Sequence, residues 1–165
     1  MKLLSISVLA FALCSLVVAQ APVNDDCAGG LPVVLGSNPG GCLTYTNAMA
    51  TTSAGYPAIC NTISSDVWFS FTPPTTGVYR FDTETPAGCA AGTETDTVVA
   101  AYSSCTPGAP LGCDDDSGTG LLSILNVGLC GNQTYFIRVG SFGTQSTTNN
   151  GTFYLNVSQS TTTFS

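Results

Sequence analysis

The sequence predicts an all-β protein, an antiparallel β-sandwich of about eight strands in two sheets that disulfides brace. Three observations support this prediction. Apolar and polar residues alternate through several short segments, and turns rich in glycine, proline and asparagine separate these segments. Beyond the N-terminal region, no window of more than about ten residues has a convincing helical period.

The N-terminus has the layout of a secretory signal peptide. Lys2 gives a short positive start, residues 3–18 form an almost unbroken apolar run, and small residues end it. We expect cleavage after Ala19. Cleavage after Ala21 fits the small-residue pattern too, but Pro22 would then begin the mature chain.

The predicted organisation is a signal peptide at 1–19, one β-sandwich domain at 20–158 and a flexible tail rich in serine and threonine at 159–165. An uncleaved membrane anchor is the alternative for the first segment. The apolar run is short for a bilayer span and has no basic flank after it, which favours cleavage and secretion. No second apolar run of membrane length follows, so the sequence predicts no membrane insertion.

The strand predictions rest on alternation between turn signals. The predicted strands are 31–35, a second near 42–48, 66–71, 77–82, 97–102, 122–127, 135–139 and 151–157. The side chains predicted to face the core are Val67, Phe69, Phe71, Tyr79, Phe81, Tyr135, Ile137, Val139, Phe153, Leu155 and Val157. Residues 25–29 are expected to form one helical turn with Asn24 as its cap.

Trp68 lies on the opposite face from Phe69 in the third predicted strand. Two interpretations stay open for this side chain, which we expect to be partly exposed. It either covers the outer face of its sheet or forms an aromatic platform for a ligand.

Composition narrows the classes of function. After the leader, Arg80 and Arg138 are the only cations against ten carboxylates, which gives a net charge of −8. A surface of that sign repels nucleic acid and anionic lipid, so no nucleic-acid partner is expected. The chain has no histidine and no lysine after the leader, which excludes Ser-His-Asp catalysis, histidine-ligated metals and Schiff-base chemistry.

Of the eight cysteines, Cys14 lies in the predicted leader and seven remain. Outside the cell, the expected outcome is three disulfides and one odd thiol, which could join the chain to a partner. Cys105 and Cys113 bracket a turn-rich loop and are predicted to pair. A Cys27–Cys60 bridge is a second, less supported prediction, and the odd cysteine is expected at position 42.

The acidic run Asp114-Asp115-Asp116 is the sharpest local feature of the chain. Adjacent carboxylates repel one another, and a bound cation or solvent must relieve that repulsion. Calcium takes six to eight oxygen ligands, and a glycine-containing loop such as this one can supply several. The alternative is a solvated acidic turn, and the same two interpretations apply to Asp25-Asp26.

Carboxylate-based glycoside hydrolysis is the one enzymatic alternative that the composition leaves. Asp82, Glu84, Glu94 and Asp96 flank a single loop, but nothing in the sequence marks one of them as buried, so we expect no catalysis.

Three N-glycosylation sequons begin at Asn132, Asn150 and Asn156. The first two lie in predicted turns and are the expected glycosylation sites. Asn156 lies in a predicted strand, although it faces away from the core.

Several segments, taken in order, resemble the secreted bacterial pre-peptidase C-terminal (PPC-type) domains. They are 24–29 (NDDCAG), 66–79, 81–83, 95–102, 113–116, 135–140 and 151–157, and they span nearly the whole mature chain. The resemblance implies a jelly-roll-like sandwich that is non-catalytic and accompanies secreted enzymes. Several members of that family bind calcium, polysaccharide or collagen-like polymers.

The resemblance also adds a residue to the acidic run. In that family a strand begins with an Asp-Thr motif, and its aspartate matches Asp96. The family's Asn-Asp-Asp loop matches Asp114, Asp115 and Asp116, and Asp114 stands where the family usually has asparagine. It therefore implies a calcium site at these four residues. The resulting expectation is a secreted, non-catalytic module that binds an extracellular glycan or polymer. A structural or adhesive coat component, suggested by the odd cysteine, is the alternative.

Overall fold

The computed structural model describes residues 20–38, 41–57, 60–144 and 150–160, and within them the protein is all-β. One 3₁₀ turn, Cys27–Gly29, precedes the strands. The strands are β1 (Leu31–Val33), β2 (Tyr45–Thr46), β3 (Ile63–Phe71), β4 (Gly77–Asp82), β5 (Thr97–Tyr102), β6 (Gly112–Asp114), β7 (Ile124–Leu129), β8 (Tyr135–Phe142), β9 (Thr152–Phe153) and β10 (Asn156–Gln159). The predicted signal peptide at 1–19 and the end of the tail, 161–165, lie outside the described residues.

The strands form three hydrogen-bonded sheets. The largest has the order β1-β3-β8-β5-β6, the second has the order β10-β4-β7, and β2 pairs with β9. All strand pairs are antiparallel except β1 with β3. The predicted antiparallel sandwich is therefore confirmed, with ten strands in the described part of the chain where about eight were expected.

The core lies between the five-stranded and three-stranded sheets. All eleven side chains that alternation assigned to the core are buried in one cluster, from Val67, Phe69 and Phe71 on β3 to Val157 on β10. Phe71 packs edge-on against both Tyr79 and Phe81 of the facing sheet, with ring centroids 5.2 Å apart in each pair. The period of two in the sequence therefore predicted correctly which face of each strand is apolar.

A second buried cluster covers the opposite face of the five-stranded sheet. Trp68 is fully buried there, with Tyr56 at 4.9 Å and Tyr102 at 5.5 Å between ring centroids. Its indole Nε1 donates to Ser53 Oγ. The expectation of a partly exposed Trp68 and a ligand platform is wrong, because the segment before β3 folds back across this face.

The same face contains a buried ion pair. Arg138 Nη2 donates to Asp66 Oδ1 at 2.7 Å, and the two side chains are only 4% and 0% exposed. The guanidinium carbon also lies 5.2 Å from the ring centre of Tyr56 and 5.7 Å from that of Trp68. Burial of Arg138 opposes its charge, but the contact with Asp66 raises the pKa of the guanidinium above its usual value.

Three disulfides hold these layers together: Cys27–Cys105, Cys42–Cys89 and Cys60–Cys113. The predicted pairings Cys105–Cys113 and Cys27–Cys60 are wrong, although all four cysteines form bridges. Cys42 is paired as well, and among the cysteines that the structure describes the free one is Cys130, which is exposed. Cys105 and Cys113 are close in sequence, but they bond to different segments. Cys105 pairs with Cys27 before β1, and Cys113 pairs with Cys60 before β3.

Several local features differ from the predictions. Strand β6, which contains the first aspartate of the acidic run, was not predicted. The predicted strand 151–157 is interrupted, since β9 pairs with β2 whereas β10 pairs with β4. The 3₁₀ turn follows Asp26 as its N-cap, which makes no side-chain capping bond, so the predicted Asn24 cap is wrong. Instead, the amide of Asn24 donates to the Trp68 carbonyl.

β10 continues to Gln159, so the sheet includes the first residue of the predicted tail. In the described ranges, no helix has the length and hydrophobicity that crossing a membrane requires.

Candidate metal centre

Three carboxylates converge at one end of the five-stranded sheet. Asp96, Asp115 and Asp116 each place one carboxylate oxygen within 4.8 Å of the other two. β5 begins directly after Asp96 and β6 ends directly before Asp115, and these two strands pair antiparallel. The pairing therefore brings together side chains that are about twenty positions apart in the chain.

Asp115 is the most constrained member of the cluster. Its Oδ2 accepts a hydrogen bond from Asn61 Nδ2 at 2.5 Å. Its Oδ1 is buried and has no hydrogen-bond partner among the described residues. A buried carboxylate oxygen without a donor is costly, and a cation bound at this position would supply the missing partner.

The electrostatics of the cluster are unfavourable without a cation. Burial is the main cause that raises the pKa of Asp96, and repulsion from Asp115 and Asp116 adds to it. The pKa of Asp115 is raised as well, again chiefly by burial, while the Asn61 hydrogen bond lowers it. Both shifts show that the folded chain disfavours the charged form of these carboxyl groups, which is the state that binds metal ions.

The backbone around the cluster is fixed by buried hydroxyl groups. Ser123 Oγ donates its hydrogen to the Thr97 carbonyl, and it lies 2.9 Å from the carbonyl oxygen of Asp115. The Thr97 hydroxyl in turn lies 2.7 Å from that of Thr83. Asp96 forms an isolated parallel β-bridge with Leu121, and the backbone N–H of Thr97 donates to the Leu121 carbonyl. The cluster is thus preorganised by contacts among β5, the 115–123 loop and the residue that follows β4.

Asp114 does not join the cluster, although the sequence placed it in the metal site. Its Oδ1 accepts from the Ser117 hydroxyl, and its Oδ2 accepts from Ser117 N and, at 2.7 Å, from Ile124 N. This carboxylate therefore closes the acidic loop on itself. Asp25 behaves similarly, because its two oxygens accept from the backbone N–H and the hydroxyl of Thr51.

The remaining carboxylates of the enzymatic alternative are paired with donors. Asp82 Oδ2 accepts from Arg80 Nε at 2.7 Å, and Asp82 Oδ1 accepts from Asn156 Nδ2. Glu94 is 2% exposed and accepts bonds from four donors, which are the side chains of Asn47 and Ser141 and the backbone N–H groups of Thr95 and Asp96.

The sequons differ in the availability of their amide nitrogens. Asn132 is exposed in the turn before β8, as expected for a glycosylation site. Asn150 Nδ2 donates to Ser65 Oγ at 2.9 Å, so its amide is already engaged. Both hydrogens of Asn156 Nδ2 are engaged too, with Asp82 Oδ1 and the Glu84 carbonyl.

Sequence reasoning missed Asn61 and Ser123. Asn61 follows Cys60, whose disulfide partner Cys113 lies two residues before Asp115. The correct disulfide pairing would have pointed to Asn61, whereas no sequence signal distinguishes Ser123 from the other serines of the chain.

Comparison with known proteins gives no match to a family model, to a curated protein or to a solved structure. The resemblance to PPC-type domains stays a prediction.

Proposed function

We propose that this protein is a secreted, non-catalytic binding module that holds one calcium ion at Asp96, Asp115 and Asp116. The convergence of three carboxylates around a buried Asp115 oxygen that lacks a donor is the observation that carries the metal part of the proposal. Calcium is the expected ion, because it accepts several carboxylate oxygens in irregular geometry and fills its remaining positions with water. The ion would relieve the repulsion within the cluster and stabilise the 115–123 loop.

The three disulfides support the proposed secretion. Bridges of this density are typical of oxidising compartments, and reducing cytosol would break them. The leader-like first 19 residues agree with export.

Extracellular polymer binding, most directly glycan binding, is the proposed activity. Its support is the disulfide-tied sandwich, the absence of histidine and mature lysine from the sequence, and the resemblance to PPC-type domains. A polysaccharide pull-down in calcium and in EGTA tests it directly. Retention on a polysaccharide in at least one condition is the expected result, and no retention in either would contradict it.

Calcium-dependent thermal unfolding tests the metal site. With calcium at about 100 times its dissociation constant, the folded state should gain about 2.7 kcal/mol over the chelated sample, because only the folded chain presents the site. Asp116→Asn should abolish the difference. The control Asp26→Asn, which removes an exposed carboxylate outside the cluster, should keep it.

Equal unfolding midpoints in calcium and EGTA would contradict the calcium site. A difference that persists in Asp116→Asn would place the ion elsewhere.

A structural coat component is the second candidate, and the exposed free thiol of Cys130 favours it. A disulfide between two such thiols would link chains covalently. Electrophoresis without reductant separates the candidates, since linked assembly gives dimers that Cys130→Ser removes, whereas a strictly monomeric wild type contradicts this alternative.

A further inference from the structure

A cleft of about 550 Å³ lies beside β10, and none of the three aspartates of the acidic cluster lines it. Its walls come from the turn after β1, the loop after β4 and β10 itself, and they include Leu35, Glu84, Ala87 and Asn156. The volume falls within the range of about 300–1,000 Å³ that small-ligand sites occupy.

Asp82 orients the polar side of this cleft. Three donors bind its carboxylate: Arg80 Nε, Asn156 Nδ2 and the backbone N–H of Glu84. The second hydrogen of Asn156 Nδ2 goes to the Glu84 carbonyl. Because both amide hydrogens are used, the atom of Asn156 that is left for a ligand is Oδ1, which accepts hydrogen bonds.

The protein also holds the side chain of Glu84, through one of its two carboxylate oxygens. Its Oε1 accepts from the backbone N–H of Thr119 at 2.5 Å. Within the described residues, its Oε2 has no protein donor, as is true of Asn156 Oδ1. Glu84 and Asn156 both line the cleft, and each keeps one acceptor atom without a protein donor while its other polar atom is held by the protein. Both side chains are therefore ordered before any ligand arrives, so that little conformational entropy is lost on binding.

The cleft lining also includes apolar side chains. Leu35, from the turn after β1, is 39% exposed, and Pro86 and Ala87 come from the loop after β4. A sugar ring has the matching character, since its hydroxyl groups donate along the edge and its C–H groups form apolar faces. The Glu84 carboxylate and the net charge of −8 after the leader repel carboxylated or sulfated sugars.

We infer that this cleft binds an uncharged sugar unit of an extracellular polysaccharide, whose hydroxyl groups donate to Glu84 and Asn156 while its ring packs against Leu35 and Pro86. The inference rests on the proposed function and adds to it the place and the charge class of the ligand. It requires no metal ion in the cleft, because the acidic cluster is formed by other residues.

Affinity electrophoresis of the secreted, oxidised protein tests the cleft with soluble neutral polysaccharides (mannan, xyloglucan and mixed-linkage β-glucan) and with acidic alginate. Ala87→Trp should fill the cleft from an exposed loop position and lower the affinity for the bound neutral polymer at least about tenfold. Glu84→Gln keeps the side-chain shape and should lower it by about three- to tenfold, because it removes a charged acceptor. The control Ala109→Trp adds the same ring on an exposed loop outside the cleft and should bind as the wild type does.

Unchanged unfolding midpoints for all three variants show that a loss of binding is not a loss of folding. Neutral-polymer binding that neither cleft variant weakens overturns the cleft assignment and leaves the proposed function standing. Equal affinity for alginate overturns the assigned charge class. No binding to any polysaccharide overturns the proposed function, and with it this inference.

Discussion

The carboxylates of this protein fall into two sets that differ in how their charge is compensated. Asp66, Asp82 and Glu94 are buried, yet an arginine contacts each of the first two and four donors surround the third. Asp96 and Asp115 are more exposed, yet they have fewer donors and face another carboxylate. Asp66 also has one oxygen, Oδ2, without a hydrogen-bond partner among the described residues, but Arg138 compensates its charge. In the described ranges, neither Asp96 nor Asp115 forms an ion pair with an arginine. Burial alone therefore does not mark a binding site here, and the lack of a compensating cation is the more informative signal.

The largest loss of stability is expected from replacing a buried carboxylate that an arginine compensates. Asp66→Ala would leave Arg138 buried without a counterion, at a cost of about 3–5 kcal/mol in the free energy of unfolding. Arg80→Ala breaks an ion pair whose arginine side chain is 36% exposed, and should cost about 1 kcal/mol or less. Denaturant unfolding followed by circular dichroism measures both, and similar costs would contradict the contrast between the buried and exposed pairs.

A smaller effect is expected from the disulfide next to the cluster. Replacing Cys60 and Cys113 by serine should cost about 2–4 kcal/mol, because the unfolded chain loses a constraint. It also releases Asn61 from its place against Asp115, so the stabilisation by calcium should shrink.

The matched control replaces Cys42 and Cys89, a bridge in which neither cysteine is next in sequence to Asn61 or within two residues of a cluster aspartate. It should lower stability similarly and leave the calcium effect intact. An unchanged calcium effect in the Cys60 and Cys113 variant would show that the cluster needs no support from this bridge.

The smallest effect is expected within the cluster. In EGTA at neutral pH, Asp115→Asn should stabilise the fold by no more than about 1 kcal/mol, because solvent screens the repulsion that it removes. The raised pKa of Asp115 fixes the sign of the pH dependence. The wild-type penalty builds up as pH rises from the ordinary carboxyl pKa of 3.8 to the raised folded pKa, because in that range the unfolded carboxyl has lost its proton while the folded one still holds it.

The advantage of Asp115→Asn should therefore vanish below pH 3.8 and be complete at neutral pH. Paired unfolding titrations across this range measure it, with Asp26→Asn as the control that lies outside the cluster. An advantage that grows on acidification would contradict the raised pKa. A loss of stability at neutral pH would show that the Asp115 charge is compensated in the folded chain.

The candidate site was only partly predictable from the sequence. Mutual repulsion correctly singled out the acidic run, but the partner of that run depends on strand pairing. Asp96 entered through a family resemblance, whereas Asn61 comes close only because Cys60 is bridged to Cys113. Asp114 was assigned to the site by adjacency, but its side chain turns back to bond Ser117 and Ile124.

The sequence by itself determined most of the longer strands and the apolar face of those with clear alternation. β4 and β5 occupy their predicted ranges, and in β4 alternation predicted the range, because the period of two is a local property that burial of one face imposes. The tertiary structure decided what covers the other face. The path of the chain between strands decides whether Trp68 is buried or exposed, and it decides which cysteines form disulfides. Alternation within a strand contains no information about that path.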